Sequence, residues 1–338
     1  MPMPDRFAVI DVSHWHSTHD AAYCRILRDL DRQIVGVSDS NPTIAQDRAQ
    51  SFGGAAFTDY RAMIETTKPG FVIALGRHTD MPETFRYLVT TGLPFIMEKP
   101  WGTDPDTVSQ LAALARRHNT WVAVPFINRA SQWALTARRM IEDGAFGTIS
   151  HIFYRTIRPT MQRYVEWDSP WMWDAAAAGG GALMNLGGHG FDMAWFLTRE
   201  EPEVVSAVLS HAAHGAAVED YALVTLRMPS GILFHNEVGY TMPTWPANQT
   251  DGEQKIAGSN LLLRATPQGL HVLGSGRDEL ITASAGDQAG YPQWVQETLE
   301  AYGRGDPPPI TADACVRVSR LTHAAYRMAK CAGTSRGT

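Results

Sequence analysis

The sequence predicts an α/β protein with an N-terminal doubly wound parallel sheet and a C-terminal α+β domain on an open, mainly antiparallel sheet. Up to about residue 126, short apolar runs alternate with longer helical patterns, which is typical of βαβ units. Beyond it, alternating runs such as "SHIFYRTIR" and "DYALVTLRM" indicate strands with one covered face. We therefore expect two domains, residues 1–126 and residues 127–338.

The first domain contains five strand-like runs, which are "FAVI", "QIVGVSD", "FVIALG", "PFIME" and "WVAVPF". Helical patterns separate them, beginning with a predicted helix over Thr18–Leu30. Gly92 and Asn119 stand where helix C-caps are expected, and Asp104 is a candidate N-cap. Because open parallel sheets bind ligands beyond the carboxyl ends of their strands, we expect the site at that edge.

The second domain begins with a predicted helix over Ala130–Asp143. A tryptophan-rich loop, "YVEWDSPWMWDAAAAGGG", then leads into a helix with the sequence "ALMNLGGHGFDMAWFL". The remaining strand-like runs form the predicted antiparallel sheet. Two helices close the chain, Gln293–Tyr302 and Ala312–Cys331. The second, over residues 312–331, is a candidate to pack back on the first domain.

The composition excludes several classes of protein. With 338 residues, 44% of them hydrophobic, the chain can bury a large core. A net charge of -6 without a basic tail argues against a nucleic-acid partner. No apolar run approaches the roughly 18 residues of a membrane span, and the N-terminus lacks a signal-peptide pattern. Three widely separated cysteines argue against a disulfide scaffold and for a cytoplasmic protein.

The turn after the first strand has no glycine. It reads "DVSHWH" from Asp11 to His16, where a dinucleotide-binding turn uses glycines to let the backbone approach a pyrophosphate. The candidate cofactor contacts in this turn are Ser13, His14 and Trp15. Three histidines, His14, His16 and His19, do not have the spacing or companion ligands of a metal site, so we expect no metal.

Three further strand ends carry candidate cofactor residues. Asp39 lies about twenty residues beyond the turn, where an acidic side chain accepts from a ribose 2′-OH and favours NAD over NADP. The alternative is a turn-forming role before Asn41. The other candidates are Ser40, beside Asp39, and Leu75, Gly76 and His78 in "ALGRHTD".

The fourth strand end, "FIMEKPW", brings Glu98 and Lys99, both candidate cofactor contacts, to the expected crevice between the domains. Lys99 is a candidate to hydrogen-bond a substrate hydroxyl. Burial would depress its pKa toward the range that is useful for proton transfer. A purely structural Glu–Lys pair is the alternative.

The glycine-rich helix carries the second candidate site. Asn185, His189 and Asp192 are spaced by four and three residues, which places them on one helical face. Each surrounding glycine costs about 1 kcal/mol of helix propensity relative to alanine. This composition indicates that a ligand or another backbone comes close. The pattern favours a functional histidine over a structural one.

"EKP" after a strand, together with the Gly179–Asp192 pattern, resembles the Gfo/Idh/MocA family, the glucose–fructose oxidoreductase and inositol dehydrogenase group. "DSNPTIAQDRAQSFG", "TDYRAMIETTKPGFVIAL" and "FINR" extend the resemblance. It implies a Rossmann domain for NAD(P), NADP being less favoured here, and reversible oxidation of a hydroxyl on a sugar or polyol. It also implies a homodimer or homotetramer through the C-terminal sheet.

The resemblance implies a catalytic set of Lys99, His189 and Asn185, the last replacing the family's aspartate. His189 would accept the hydroxyl proton, and Lys99 would stabilise the developing oxygen charge. Tryptophan rings stack well on the apolar faces of sugars. We expect at least one of Trp167, Trp171 and Trp173 to contact the substrate, and Asp192 is a further candidate. The weaker candidates are Asn128, Arg155, Arg158 and Tyr164.

The missing glycines leave two hypotheses open. The family's G-x-G-x-x-G is replaced at Asp11, Ser13 and His16. Asp11 facing a phosphate would cost about 4 kcal/mol per close charge pair, a cost that a protonated His14 or His16 would offset. In the first hypothesis a reshaped turn still binds the dinucleotide. A related possibility is that the cofactor is bound tightly and is recycled within each turnover. In the second the cofactor site has decayed, and the protein is a non-redox sugar-binding or regulatory protein.

Overall fold

The structure is a computed structural model that describes residues 3–243, 250–282 and 290–334. The strands are β1 (Arg6–Ile10), β2 (Gln33–Ser38), β3 (Ala55–Phe57), β4 (Phe71–Ala74), β5 (Phe95–Met97), β6 (Val122–Ala123), β7 (Ile149–Pro159), β8 (Glu203–Ser210), β9 (Tyr221–Arg227), β10 (Leu233–Met242), β11 (Asp251–Gly258), β12 (Leu261–Thr266), β13 (Gly269–Gly274) and β14 (Arg277–Thr282).

The helices are α1 (Tyr23–Asp29), α2 (Pro42–Phe52), α3 (Tyr60–Thr67), α4 (Met81–Thr91), α5 (Pro105–Arg117), α6 (Gln132–Glu142), α7 (Gln162–Glu166), α8 (Ala175–Ala178), α9 (Gly188–Thr198), α10 (Tyr291–Arg304) and α11 (Ala312–Thr334). Short 3₁₀ turns cover Trp15–Ser17, Ile127–Ala130 and Pro170–Trp173, and a π-helical turn covers Leu183–Gly187. Within the described residues, no helix combines the length and apolar character needed to cross a membrane.

A parallel six-stranded sheet confirms the predicted doubly wound architecture. Its strand order is β3-β2-β1-β4-β5-β6, the order of dinucleotide-binding Rossmann folds. The apolar run Phe7–Ile10 is fully buried in the centre, as expected of a strand covered on both faces. The sequence prediction missed β3, because this three-residue strand at the sheet edge is only partly buried and has a weak apolar signal.

The segment between β1 and α1 differs from the prediction. The expected helix over Thr18–Leu30 is wrong at its start, because α1 begins at Tyr23. Asp20 and Ala22 adopt positive φ angles of 50° and 53°. A left-handed residue cannot continue a right-handed helix, so the chain makes a 3₁₀ turn at Trp15–Ser17 and enters the α-helix five residues later than predicted.

An eight-stranded sheet in the order β14-β13-β12-β11-β7-β10-β9-β8 confirms the predicted second architecture. All neighbouring strands are antiparallel except β7 and β10, which pair in parallel. Alternating burial along β9 agrees with the sequence pattern. α6 packs on α9, and β10 lies beside the π-helical turn, so the glycine-rich segment is built on this sheet.

By their internal contacts, the residues form two compact units. The first comprises Met1–Pro125, Tyr164–Gly179 and Gly290–Val316, and the second comprises Phe126–Arg163, Gly180–Ala289 and Arg317–Thr338. The tryptophan loop, which we define as Tyr164–Gly179, therefore belongs to the first unit, although it lies beyond residue 126 in sequence. The division also passes through α11. A single domain boundary at residue 126 stays a prediction.

Candidate active site

The opening turn, Asp11–Ser17, folds without glycine because an aspartate takes the left-handed position. Asp11 has a φ of 54°, a conformation that aspartate and asparagine tolerate better than most side chains. The His14 backbone N–H then donates to the Asp11 carbonyl at 3.0 Å and closes the turn. Asp11 thus performs the backbone role of the first glycine but adds a carboxylate to the site.

The backbone amides from Val12 to Ser17 in this turn all have acceptors inside the chain. Each N–H from Val12 to Ser17 has an acceptor at 2.6–3.1 Å. In order, the acceptors are the Ser38 carbonyl, Asp39 Oδ2, the Asp11 carbonyl, Ser169 Oγ, His14 Nδ1 and the His14 carbonyl. A phosphate-binding loop needs such amides free to point at the anion. In this conformation, the opening turn offers side chains to a ligand rather than an amide cradle.

Asp39 anchors the opening turn to the end of β2. Its Oδ2 accepts from the Ser13 N–H at 2.6 Å, and its Oδ1 accepts from the Asn41 N–H at 2.9 Å. The side chain is only 2% exposed. The structure gives Asp39 the turn-forming role. A ribose contact is also compatible with this geometry, because each carboxylate oxygen keeps a second lone pair for a ribose hydroxyl. The ribose contact stays a prediction.

The tryptophan loop packs on the opening turn. Trp171 lies 5.8 Å from Trp15 between ring centroids, and Trp167 stacks on His19 at 4.6 Å. The Ser169 hydroxyl donates to the Ser13 carbonyl at 2.8 Å, so one serine satisfies both a carbonyl and an amide of the turn. Trp167 and Trp171 thus have packing roles in the first unit, and Trp173 is half-buried. Their contacts with a substrate stay predictions.

His14 presents a neutral N–H donor. Its Nδ1 accepts from the His16 backbone N–H at 3.1 Å, so the proton of the neutral ring sits on Nε2. Burial lowers the pKa of His14 well below its usual value, and His16, His78 and Lys99 lower it further. The expected offset of phosphate charge by a protonated His14 or His16 stays a prediction. Desolvation disfavours the cation, but the neutral ring can still donate a hydrogen bond.

A cavity of about 470 Å³ opens at the carboxyl ends of the first unit's strands. This strand-end cavity is lined by Asp11, Ser13, His14, Ser40, Thr58, Asp59, Tyr60, Arg61, Gly76, Arg77, Asp80, Glu83, Thr84 and Trp171. Four predicted cofactor residues are on its wall: Ser13, His14, Ser40 and Gly76. The other six are buried and do not line it: Trp15, Asp39, Leu75, His78, Glu98 and Lys99.

The sequence prediction missed the wall formed by Thr58–Arg61. These residues follow β3, the strand that was also missed, and the carboxyl end of β3 opens at the same edge. Recognising β3 would have identified them. The Arg61 guanidinium lies 4.7 Å from the Tyr60 ring centroid and pairs with Glu83, so this side of the cavity combines an aromatic face with paired charges.

Asp11 is the unusual charge in the strand-end cavity. A Cβ placed on Gly76 would lie only 2.8 Å from Asp11 Oδ2, so the side chain crosses the gap between the ends of β1 and β4. Burial, together with Asp39 and Asp80, raises the pKa of Asp11 to about 7, although Arg77 opposes this shift. Near neutral pH, this carboxyl group is therefore divided between its acid and its anion.

Glu98 and Lys99 follow β5 in a buried polar cluster. Glu98 Oε1 lies 2.9 Å from His16 Nδ1 and accepts from the Tyr23 hydroxyl at 2.8 Å. Burial alone would raise the pKa of Glu98, but His16, Lys99 and Tyr23 lower it overall. Burial lowers the pKa of Lys99, with Glu98 opposing. The histidine at the third glycine position thus connects the opening turn to the "EKP" segment.

His78 is held as a neutral ring beside Trp171. Its Nδ1 donates to the Ala178 carbonyl at 2.7 Å, and burial lowers its pKa to about 3. The ring stands edge-on to Trp171 at 5.1 Å. His78 is not on the wall of the strand-end cavity, so its predicted cofactor contact stays a prediction.

In the second unit, the predicted single helix is interrupted. A π-helical turn over Leu183–Gly187 precedes α9, which begins at Gly188. Single π turns occur frequently at functional sites. Asn185 Nδ2 donates to the Tyr240 hydroxyl at 2.9 Å, and the half-buried His189 ring stands edge-on to Phe126. The catalytic roles of Asn185 and His189 stay predictions.

Asp192 is paired with an arginine. Arg129 contacts both carboxylate oxygens, with Nε donating to Oδ2 at 2.7 Å. Burial raises the pKa of Asp192 despite this pairing. The geometry gives Asp192 a structural partner, and its contact with substrate stays a prediction.

The glycines around this helix make room for other parts of the protein. A Cβ on Gly181 would lie 1.9 Å from the Glu219 carbonyl oxygen, and one on Gly190 would lie 2.1 Å from Asn236 Oδ1. Glu219 also accepts from the Gly181 and Leu183 N–H groups at 2.9 Å each. The close approach expected from the sequence is therefore made by the backbone at Glu219 and by the Asn236 side chain.

The other predicted substrate residues lie on or near the large sheet. Asn128 donates to the Tyr154 hydroxyl at 2.8 Å. Arg155 on β7 pairs with Asp251 at 2.9 Å and Glu253 at 3.2 Å on β11. In the part of the chain that the structure describes, no group of three or more His, Cys, Asp or Glu residues could hold a metal ion.

Two matches to models of known protein families identify the family of this chain. Residues 6–126 match a family model described as an oxidoreductase family with an NAD-binding Rossmann fold, and residues 134–260 match the GFO/IDH/MocA C-terminal domain. The chain belongs to the Gfo/Idh/MocA family. This confirms the resemblance in the "EKP" and glycine-rich segments, and it confirms that the first domain is of the NAD-binding type.

Two curated family members come from Rhizobium meliloti. The inositol 2-dehydrogenase of strain 1021 is 26% identical over 235 residues, covering 68% of this chain and 67% of the relative. The rhizopine catabolism protein MocA is 26% identical over 191 residues, covering 55% and 56%. The chain thus spans between about half and two thirds of these relatives.

A solved structure shows the same fold. The inositol dehydrogenase homolog of Azotobacter vinelandii, complexed with NAD+, aligns with a TM-score of 0.82, 18% identity, and coverage of 97% of this chain and 96% of the other.

The residues of this Gfo/Idh/MocA protein fit a dinucleotide held by side chains. The strand-end cavity lies where Rossmann domains bind their cofactor. Gly76 lies on its wall, and the Ser40 and Thr58 hydroxyls can meet a ribose. The amides from Val12 to Ser17 have acceptors inside the chain, so the side chains of Asp11, His14 and Arg77 on the cavity wall are the groups that can meet the diphosphate.

Proposed function

We propose that this protein is an NAD-dependent dehydrogenase or reductase that acts on a hydroxyl or keto carbon of a sugar, polyol or sugar-derived substrate. The observation that carries the proposal is the buried Lys99, whose pKa is lowered by burial at a strand end facing no bulk solvent. A lysine tuned in this way suits proton and oxyanion chemistry, and it occurs in a chain whose family is an NAD-binding oxidoreductase family.

The chain's own residues would divide the work on a carbinol. NAD, when bound, supplies a hydride acceptor. Lys99 donates a hydrogen bond to the substrate oxygen and stabilises its developing charge. His189 accepts the hydroxyl proton. Asn185, which donates to Tyr240, orients the neighbouring polar groups by hydrogen bonding but supplies no charge.

The proposed substrate is a cyclic polyol or sugar. The relatives named inositol 2-dehydrogenase and MocA support this class, and we propose that a tryptophan of the tryptophan loop stacks on the ring. NAD is proposed over NADP because Asp39 would repel a 2′-phosphate. We further propose a homodimer or homotetramer formed through the eight-stranded sheet, in the cytoplasm, without nucleic-acid or membrane partners.

The test combines binding and turnover. NADH is titrated into the protein while nicotinamide fluorescence is followed, and NAD+ reduction is measured with myo-inositol and a panel of aldoses and sugar acids. Lys99→Met and His189→Gln should each lower kcat by about 10²–10⁴-fold, the range of general acid–base catalysis. His189→Gln should still bind NADH. His211→Gln, an exposed histidine of the second unit, is the matched control and should keep full activity.

A second candidate function is supported by one observation. Every amide from Val12 to Ser17 in the opening turn is satisfied within the chain, as expected of a decayed cofactor site. In that case the protein would bind a sugar-like ligand without redox chemistry, as a sensor or regulatory protein. NADH binding that appears only after Asp11→Gly, with no turnover by the unmodified protein, would favour this candidate over the dehydrogenase.

A further inference from the structure

We build here on the proposed function, in which a dinucleotide occupies the strand-end cavity. In a glycine-rich turn, backbone amides meet the cofactor's diphosphate. Here those amides already have acceptors inside the chain. Side chains on the cavity wall must therefore take over the contact.

Asp11 is the side chain placed at the centre of this contact. It ends β1 at the first glycine position, lines the cavity and reaches towards Gly76 at the end of β4. Among the described residues, none donates a hydrogen bond to its carboxylate oxygens and none forms a salt bridge with it. An ionised carboxylate in that position would face a diphosphate with no compensating donor, and the repulsion would be strong.

The groups around Asp11 do not favour its anion. Asp39 follows β2, and Asp80 precedes α4, and both are negative. Arg77, in the turn after β4, is the opposing positive group and is exposed. Tyr60 on α3 interacts with Asp11 as a neutral phenol whose own pKa is raised, mainly by burial. A bound diphosphate adds further negative charge and favours the protonated acid still more.

We propose that Asp11 binds the dinucleotide diphosphate as a neutral carboxylic acid, donating its O–H to a phosphate oxygen, so that a protein molecule whose Asp11 is ionised takes up one proton from solvent when it binds the dinucleotide. The proton comes from water or buffer and stays on the Asp11 carboxyl group, and no covalent bond of the cofactor changes. An aspartate in place of glycine then serves as a hydrogen-bond donor rather than as a barrier.

The neighbouring His14 does not account for such an uptake. Its Nδ1 accepts from the His16 N–H and its ring is buried, so it donates through Nε2 as a neutral group. It can contact the diphosphate without changing its protonation. This separates a titrating donor, Asp11, from a non-titrating donor, His14.

Calorimetry measures the proposed uptake directly. NADH is titrated into the full-length protein at pH 6 and pH 8, in pairs of buffers that differ in ionisation enthalpy. With Asp11 titrating near 7 in the unliganded protein, about 0.1 proton per NADH is expected at pH 6 and about 0.9 at pH 8. Above pH 7, the NADH dissociation constant should rise about tenfold per pH unit.

Two variants assign the proton. Asp11→Asn keeps the left-handed turn and a donor, so it should bind NADH with the same affinity at both pH values and with no uptake. Asp59→Asn removes a carboxylate from the same cavity wall while keeping an N-cap for α3, and it should retain the uptake at pH 8.

The outcomes separate the two proposals. NADH binding by the unmodified protein without proton uptake at pH 8 overturns the role of Asp11 and leaves the dehydrogenase intact. Uptake that persists in Asp11→Asn also overturns it. No NADH binding by either protein at either pH overturns the proposed function, and the role of Asp11 with it.

Discussion

The buried Glu219 carboxylate holds the start of the glycine-rich segment by hydrogen bonds, and Glu219→Gln tests how much these bonds stabilise the protein. Glu219 is 3% exposed and accepts three hydrogen bonds at 2.8–2.9 Å. The donors are the Gly181 N–H, the Leu183 N–H and the Tyr326 hydroxyl. The first two are amides at the start of the glycine-rich segment, where a helix has no partners of its own for its N–H groups.

The magnitude follows from what glutamine retains. Its amide oxygen still accepts from one backbone N–H of Gly181 or Leu183, but its NH₂ group faces the other. An unsatisfied buried donor costs about 1–3 kcal/mol, and each bond that loses its charged acceptor weakens by about 1 kcal/mol. We expect Glu219→Gln to lower the free energy of unfolding by about 3 kcal/mol in total. For a unit of this size, that loss lowers Tm by about 6–12 °C.

Thermal and urea unfolding measure the effect, with two comparison variants. Tyr326→Phe removes only the hydroxyl donor and should cost about 1 kcal/mol. Glu203→Gln changes an exposed glutamate at the start of β8 and should leave Tm unchanged. If Glu219→Gln melts within 1 °C of the unmodified protein, or no lower than Tyr326→Phe, the anchoring role of Glu219 is refuted.

Three further outcomes are expected. Because the pKa of Asp11 is raised from 3.8 to about 7, its ionisation opposes folding; stability should fall as pH rises from about 4 to 7, by at most about 1.4 kcal/mol per pH unit. Urea titrations at pH 5 and 8 measure the free energy of unfolding, and Asp11→Asn should abolish the fall that Asp11 causes. The same change with pH in the variant and in the unmodified protein would contradict this role. Asn185→Asp should favour charged His189 and move the pH optimum of dehydrogenase activity upward; an unchanged pH–rate profile counts against the assignment. Iodoacetamide should label exposed Cys331 and spare Cys24, whose buried thiol has a pKa raised to about 12; mass spectrometry showing equal labelling would contradict this burial.

The local patterns of the sequence determined the architecture and the family. Apolar runs such as Phe7–Ile10 predicted the central strand correctly, because a run buried on both faces leaves a continuous hydrophobic signal. The three-residue β3 left no such signal, so the wall at Thr58–Arg61 was missed. "EKP" and the glycine-rich segment were sufficient to recognise the family, since both are short and contiguous.

The tertiary structure decided what the unusual residues do. Asp11 had no evident backbone role in the sequence, and its left-handed conformation replaces a glycine. Ser169, more than 150 residues away, completes the same turn. Glu219 was not singled out from the sequence, because its hydrogen bonds to the glycine-rich segment join residues 36–38 positions apart. Hydrogen-bond partners far apart in the chain leave no periodic or spacing signal, so only the folded molecule reveals them.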